Sequence, residues 1–278
     1  GTGDALRSMF PDVRVIDPGG NVGLAGRNLG ARAASGNFLL MLDDDSYPLP
    51  GAIEALVAAI DAEPRVGVVG GLVLDVADGG TVVKSTEIGT FDWWLRGRNR
   101  GPAPETGWPT FFFPEGACLI RRDAFLEVGG FFEPYFFTVS EVDLATRMLA
   151  RGWDVRYVPA AVFHHMKANM GRSSPLTLEY RVRNQLWYFW MYFPGPLAVR
   201  RAVSYLAFDL VQCAYEGALP SYFRGIRRAW TEREQVRGSR SVLPRTVLRR
   251  AELNRGRMHV ALLWGQLRKK LGARIASR

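Results

Sequence analysis

Three adjacent carboxylates, Asp43, Asp44 and Asp45, follow an unbroken apolar run from Phe38 to Leu42. Like charges this close repel one another, and beside a core they are costly unless a cation or a hydrogen-bond network compensates. Asp43 and Asp45 are alternate residues, so their carboxylates could share a hard divalent ion and the phosphates it carries. A solvated acidic turn followed by a helix cap accounts for the same residues, and the triplet alone does not separate the two. The run Phe38–Leu42 is strand length and wholly apolar, which predicts a buried central strand of an α/β sheet. The acids then fall at its carboxyl end, where open α/β sheets place their ligands. Residues 51–60 have helical apolar spacing, and 66–74 read as a second buried strand.

Further chemistry-bearing residues lie beyond the triplet. Residues 140–152 predict a helix with Ser140 as N-cap, Asp143 at N3 and Gly152 at its end. That cap accounts for Asp143 structurally, whereas Glu141 is not needed for it. Trp153–Val158 predicts a strand ending at Pro159, and Val162–Met166 a further strand carrying His164 and His165. The stretch from 85 to 113 is irregular and aromatic, with Trp93, Trp94 and Trp108 among Gly and Pro. Such rings could stack on sugar or base rings, or simply bury the loop. The glycine-rich stretch from Gly19 to Gly36 matches neither the dinucleotide fingerprint nor the P-loop. Its own spacing predicts a turn leading into a tightly packed small-residue helix. Near the start, residues 4–10 predict a helix end and Val13–Ile16 a short strand.

Charge divides the chain. Residues 1–166 hold 14 Lys/Arg against 21 Asp/Glu, while residues 167–278 hold 22 against 6. An acidic body therefore precedes a strongly basic segment suited to an anionic partner. Cys118 and Cys213 form neither a disulfide framework nor a zinc spacing, and a reducing compartment fits them. The best membrane-spanning attempt, Leu197 to Leu219, is interrupted by Arg200, Arg201, Asp209 and Glu216, so it cannot span a bilayer unaided. Residues 176–193 are helical in pattern and very aromatic, residues 197–217 predict a second helix, and basic amphipathic segments follow around 222–237 and 245–270. Aromatics beside Arg on amphipathic helices fit an interfacial membrane element. Packing of the aromatic face on the first domain fits them as well.

Taken together, three stretches resemble the family 2 glycosyltransferases. The first joins Asn21-Val22-Gly23, Arg27-Asn28-Leu29-Gly30, Ala34-Ser35-Gly36 and Leu42-Asp43-Asp44-Asp45. The second runs from Gly116 through Phe125 to Gly129-Gly130-Phe131, and the third from Glu141 through Arg147 and Val158-Pro159 to His164. Their order and spacing agree over about residues 1–170. The resemblance implies a GT-A fold, a mixed α/β sheet with flanking helices, over residues 1–173. A basic, aromatic-rich helical extension would occupy 174–278. It implies inverting transfer from a nucleotide-diphosphate sugar to a glycan or lipid-linked acceptor. Asp45, with Asp43 and His164, would bind Mg²⁺ or Mn²⁺, His165 being the weaker candidate.

The same resemblance puts Asn21, Gly23, Arg27, Asn28, Asp43 and Asp44 on the donor side. Glu115, Gly116 and the aromatic Trp108 fall on the acceptor side. Glu141 takes the general-base position, where the family has Asp after Glu, and Asp143 is the reserve candidate. The family's first strand and its base-gripping aspartates would precede Gly1, leaving the nucleotide pocket incomplete. A non-catalytic glycan- or nucleotide-binding relative is the alternative. The Gln-x-x-Arg-Trp motif of processive synthases is absent from the sequence, and no motif supports nucleic acid as a partner. The expected location is cytoplasmic, peripheral at the inner face of the plasma membrane, through an anionic surface met by the C-terminal helices.

Overall fold

The computed structural model describes residues 1–77, 80–86, 104, 106–166 and 174–252. Trp93 and Trp94, residues 78–79 of the turn that Asp78-Gly79-Gly80 predicts, and the end of the last basic segment lie outside the described residues. Helix α1 (Thr2–Met9) and α2 (Ala25–Ala33) precede β1 (Phe38–Leu42), β2 (Ser46–Pro48), α3 (Ala52–Asp61), β3 (Val66–Val76) and β4 (Val82–Thr86). Then come β5 (Trp108–Pro109), β6 (Ala117–Arg121), α4 (Arg122–Glu127), α5 (Ser140–Ala150) and β7 (Asp154–Met166). Five helices close the described chain: α6 (Pro175–Tyr192), α7 (Gly195–Tyr215), α8 (Leu219–Thr231), α9 (Glu234–Arg237) and α10 (Arg245–Glu252).

The sheet is mixed, in the order β1-β6-β3-β7-β2, with β4 on β3 and β5 on β7. Only β3 and β7 run parallel among the described pairs. Both faces are covered, which explains the runs of consecutive apolar residues in its strands. Leu39 and Met41 of β1 join Val68, Phe113, Cys118, Ile120, Phe125, Leu144 and Met148 on one side. On the other side Leu56, Ile60, Val69, Leu119 and Phe163 form the second layer. β3 and β7 approach so closely at Gly71 that a Cβ there would strike the Ala161 carbonyl and the Phe163 ring.

Four sequence expectations change. β1 is not central: it ends the strand order and pairs with β6 alone among the described strands. Its apolar character reflects cover on both faces rather than a strand on each edge. Residues 13–16 form no strand. The two strands expected at 153–166 are one, β7. Its pairing with β3 shifts register between Gly71 and Leu72, so the chain passes Pro159 without breaking. Ser140 does not cap α5 either. Val139, in the left-handed region at φ 63°, holds the N-cap position, and Ser140 is the first helical residue.

Among the described residues no helix is long and apolar enough to cross a membrane. The aromatic face of α6 is turned inward. Trp187, Tyr188, Phe189, Tyr192 and Phe193 are buried with Tyr135 and Val142 in one cluster. The Tyr188 hydroxyl lies 2.8 Å from Thr146 Oγ1 on α5, and the Tyr192 hydroxyl donates to Asp143 Oδ1 at 2.6 Å. Burial of the aromatics, not a membrane, therefore explains this face. Asp143 is fully buried and takes two further bonds on Oδ2, from Arg147 Nε at 2.9 Å and Nη2 at 2.6 Å. Removing one donor from a buried carboxylate costs more than a neutral hydrogen bond does. Tyr192→Phe should therefore lower unfolding free energy by about 1–3 kcal/mol, read from urea melts followed by tryptophan fluorescence.

Candidate active site

The carboxyl ends of β1, β3 and β7 and the start of antiparallel β6 meet at one edge of the sheet. Register pairs Leu42 with Ala117, Asp75 with His165 and Ser46 with His165. The acids after β1, Glu115 just before β6, and the imidazole near the end of β7 are thereby gathered from distant parts of the sequence. The turn after β1 is held by Ser46 N donating to Asp43 O and Met166 N donating to Asp45 O.

Asp43, Asp45 and His165 present one ligand atom each within 4.8 Å of one another. His165 Nε2 lies 3.1 Å from Asp45 Oδ2, and its Nδ1 lies 2.9 Å from Asp75 Oδ1. Asp75 is buried at the end of β3, so it fixes the ring and leaves Nε2 facing the aspartates. A carboxylate behind a histidine in this way orients the ring and raises its basicity as a ligand. Two carboxylates and an imidazole suit a divalent cation such as Mn²⁺ or Mg²⁺.

The histidine beside the aspartates is thus His165, whereas sequence reading favoured His164. Side chains alternate along a strand, so neighbouring histidines face opposite ways. His164 packs edge-on against Tyr47, with Nδ1 3.0 Å from the phenol oxygen.

Arg27 on α2 ties the site together. It pairs with Asp43 Oδ1 and donates through Nη1 to the Glu115 carbonyl at 3.2 Å and the Leu42 carbonyl at 3.3 Å. Asp43 lies flat on Gly116, where a Cβ would overlap its carboxylate. Gly116 is therefore required by close approach, not by its backbone angle.

Glu141, at the start of α5, stands beside Glu115. Ser140 Oγ lies 2.9 Å from Glu115 Oε2 and 3.2 Å from Glu141 Oε2. One hydroxyl hydrogen serves one carboxylate at a time, so the pair competes for it. Burial first, and the Glu115 charge second, push the Glu141 carboxyl up to about 8. Burial also raises Glu115, opposed by Arg27 and by the Ser140 bond. A carboxyl displaced this far takes or gives a proton near neutral pH.

The remaining expected site residues fall into place or away from it. Asn21 is exposed and accepts from Gly23 N at 3.0 Å, shaping a turn in which Gly23 has φ +57° and presses on Phe136. Asn28 is buried and holds Phe131, donating to its carbonyl and accepting from its N–H, both at 2.8 Å. Both ends of its amide are engaged by the Phe131 backbone, so it is not presented to a donor. Asp44 is exposed. Asp143 faces away into the Arg147 and Tyr192 bonds, so it is not brought to the carboxylate pair. Trp108 pairs with Tyr157, eight residues before His165 on β7. Tyr157 lies opposite Gly70 and His165 opposite Asp75, five residues apart on β3, so at strand rise Trp108 is about 17 Å from the acidic end.

Sequence reading missed three contributors. Asp75 is an acid within the apolar run of β3, and a lone acid in a buried strand is the signal that could have found it. Ser140 was assigned to a cap. The loop before α5 carries no signal at all, yet Phe136, Thr138 and Val139 have φ of 65°, 63° and 63°. For non-glycine residues such angles cost about 1–3 kcal/mol each.

Residues 1–129 match the family model described as glycosyl transferase family 2. The chain is 32% identical over 204 residues to N-acetylglucosaminyl-diphospho-decaprenol L-rhamnosyltransferase of Mycobacterium tuberculosis, covering 62% of this chain and 65% of that protein. It is 29% identical over 141 residues to pre-mycofactocin glycosyltransferase of the same organism, covering 51% of this chain and 29% of that one. The chain therefore spans less than two thirds of these relatives. Among solved structures, GalNAc-T7 with UDP, GalNAc and Mn²⁺ superposes with TM-score 0.54 at 14% identity, over 87% of this chain and 48% of that chain. That likeness gives the fold, GT-A. With the mixed sheet and the acidic edge in hand, residues 1–129 are the part of the chain that resembles glycosyl transferase family 2.

Proposed function

We propose that this chain transfers a sugar from a nucleoside-diphosphate donor to an acceptor hydroxyl with inversion at the anomeric carbon. The observation that carries the reading is the Arg27 bridge. It joins the Asp43–Asp45–His165 cluster to the Glu115–Ser140–Glu141 pair, so a leaving-group site and a proton-accepting site share one sheet edge. Glu141 accepts the proton of the acceptor hydroxyl while that oxygen bonds to the anomeric carbon. The bond from that carbon to the diphosphate oxygen breaks, and the nucleoside diphosphate departs with the electron pair. Asp43, Asp45 and His165 would hold Mg²⁺ or Mn²⁺, which when bound offsets the charge developing on the diphosphate. Arg27 orients Asp43, and Asp75 orients His165. Positioning of the two substrates supplies much of the remaining rate.

The rhamnosyltransferase relative is named for a substrate, N-acetylglucosaminyl-diphospho-decaprenol, and this supports a lipid-linked acceptor here. Peripheral attachment to an anionic membrane surface is consistent with that reading. Val199, Val203, Leu210 and Val211 on α7 and Phe223 and Trp230 on α8 are exposed large apolar side chains on the basic part of the chain. Apolar side chains among arginines bind an anionic interface by both burial and charge.

Titration calorimetry with UDP, GDP and dTDP should show Mn²⁺-dependent binding of one nucleotide, lost in Asp45→Ala. No binding by any of the three would overturn the donor site. Asp75→Asn should weaken Mn²⁺ binding by about 10–100-fold, and His165→Ala should weaken it more than His164→Ala does.

Glu141→Gln should abolish turnover with nucleotide affinity nearly unchanged. Because the Glu141 carboxyl is raised, its basic form gains population as pH rises, so activity should climb through an alkaline limb. Glu115→Gln removes a charge that raises Glu141 and should move that limb to lower pH; Ser140→Ala removes a bond that lowers it and should move the limb higher. Each shift is read against wild type at fixed Mn²⁺ concentration. Flotation with phosphatidylglycerol vesicles should recover the protein, with less recovered for phosphatidylcholine vesicles or for the Val199→Glu/Val203→Glu double variant.

A further inference from the structure

Loop 134–139 leads into the Glu141 end of α5 and touches the turn that precedes α2. Phe136 O accepts from Leu24 N at 2.8 Å, next to the donor-side turn, and Val139 leads directly into Ser140 and Glu141. Three of its residues stand in the left-handed region without being glycine, two of them β-branched. Such a backbone persists only where its surroundings over-determine it.

The surroundings come from α6. Asn184 is fully buried, and its amide nitrogen reaches the carbonyls of Tyr135 at 3.0 Å, Phe137 at 2.7 Å and Thr138 at 3.1 Å. Two amide hydrogens are shared among these three carbonyls. Arg183, also buried, donates through Nη2 to the Pro134 and Tyr135 carbonyls at 2.8 and 2.9 Å. Its Nε donates to Asn184 Oδ1 at 2.9 Å and so fixes which way the amide faces. Glu232, the C-cap residue of α8, pairs with the other arm, and the guanidinium lies against the Tyr180 and Trp187 rings. Phe136 and Phe137 in turn pack on Tyr180. Two buried donor side chains aimed at a strained backbone are a built clamp rather than incidental packing.

We infer that Asn184 and Arg183 are positioning residues for the transfer step. They hold loop 134–139 in its strained form so that Glu141 meets the acceptor hydroxyl in register with the donor. The inference rests on the glycosyl-transfer reading of the site. It makes the helices after residue 174 part of the working site, not only an attachment to it.

The test compares wild type, Asn184→Ser and Asn184→Ser/Val139→Gly as full chains. Amide exchange by mass spectrometry should be about tenfold faster or more over 134–142 in Asn184→Ser, with the sheet strands still protected. Affinity for the nucleotide that binds wild type with Mn²⁺ should change by less than about threefold. Turnover of the corresponding nucleotide sugar should fall about ten- to a hundredfold, as misplacement of a reacting group does. Glycine at 139 relieves one strained residue and should restore part of the turnover. Unchanged exchange over 134–142 would overturn the inference, as would equal loss of protection throughout the sheet or wild-type turnover beside a loosened loop. If wild type binds nucleotide yet turns over no sugar, the transfer reading fails, and the exchange comparison still decides whether Asn184 holds the loop. Should Asn184→Ser not fold, Arg183→Lys, which keeps a charged donor, is measured by the same readouts.

Discussion

Crowding of negative charge at one edge of the sheet is the constraint that the rest of the site answers. Asp43, Asp45, Asp75, Glu115 and Glu141 converge there from four separate stretches of chain. Left alone they would repel one another and resist burial. Each answer is visible as a contact. Arg27 neutralises Asp43 and links it to the backbone before Glu115. His165 lies between Asp45 and Asp75. Ser140 stands between the two glutamates, and the raised carboxyls of that pair lower the charge that must be accommodated. The arrangement leaves a negative edge suited to a cation and a diphosphate, with a proton acceptor beside it.

A second constraint is mechanical. The residue that would take the proton sits at the start of a helix whose N-cap is a valine in the left-handed region, after a loop with two more residues of that kind. Strain of this sort clusters at functional sites and is stabilised from elsewhere. Here it is stabilised by α6, whose aromatic side also buries Tyr188 and Tyr192 against α5. Asp143 illustrates the division of labour between neighbouring acids on one helix. Two residues after Glu141, it faces the opposite way and closes a buried triad with Arg147 and Tyr192.

Much of this was legible in the sequence. Hydrophobic runs of strand length marked β1 and β3, and the placement of three acids at the end of one run marked the functional edge. The order of Asn21–Gly30, Asp43–Asp45, Gly116–Phe131 and Glu141–His164 carried the family resemblance. Local signals misled where side-chain direction mattered. A serine followed three residues later by an acid resembles a capping box, but Ser140 is inside the helix and its hydroxyl goes to glutamates. An aromatic helix beside arginines resembles a membrane element, but α6 turns its rings onto α5. In each case the local pattern fits two environments equally, and packing chooses between them.

The sequence by itself determined the fold class, the sheet-edge location of the acids and Glu141 as the acid not needed for structure. Those follow from period, composition and motif order, which are properties of short stretches. Only the tertiary structure decided that His165 faces the aspartates, because a strand turns adjacent side chains to opposite faces and register with β3 selects one of them. It alone decided that Asp75 stands behind that ring, that Trp108 pairs with Tyr157 and not at the acidic edge, and that Asn184 and Arg183 grip the loop before Glu141. These are contacts between residues tens of positions apart, and no local pattern encodes the register or the helix docking that creates them.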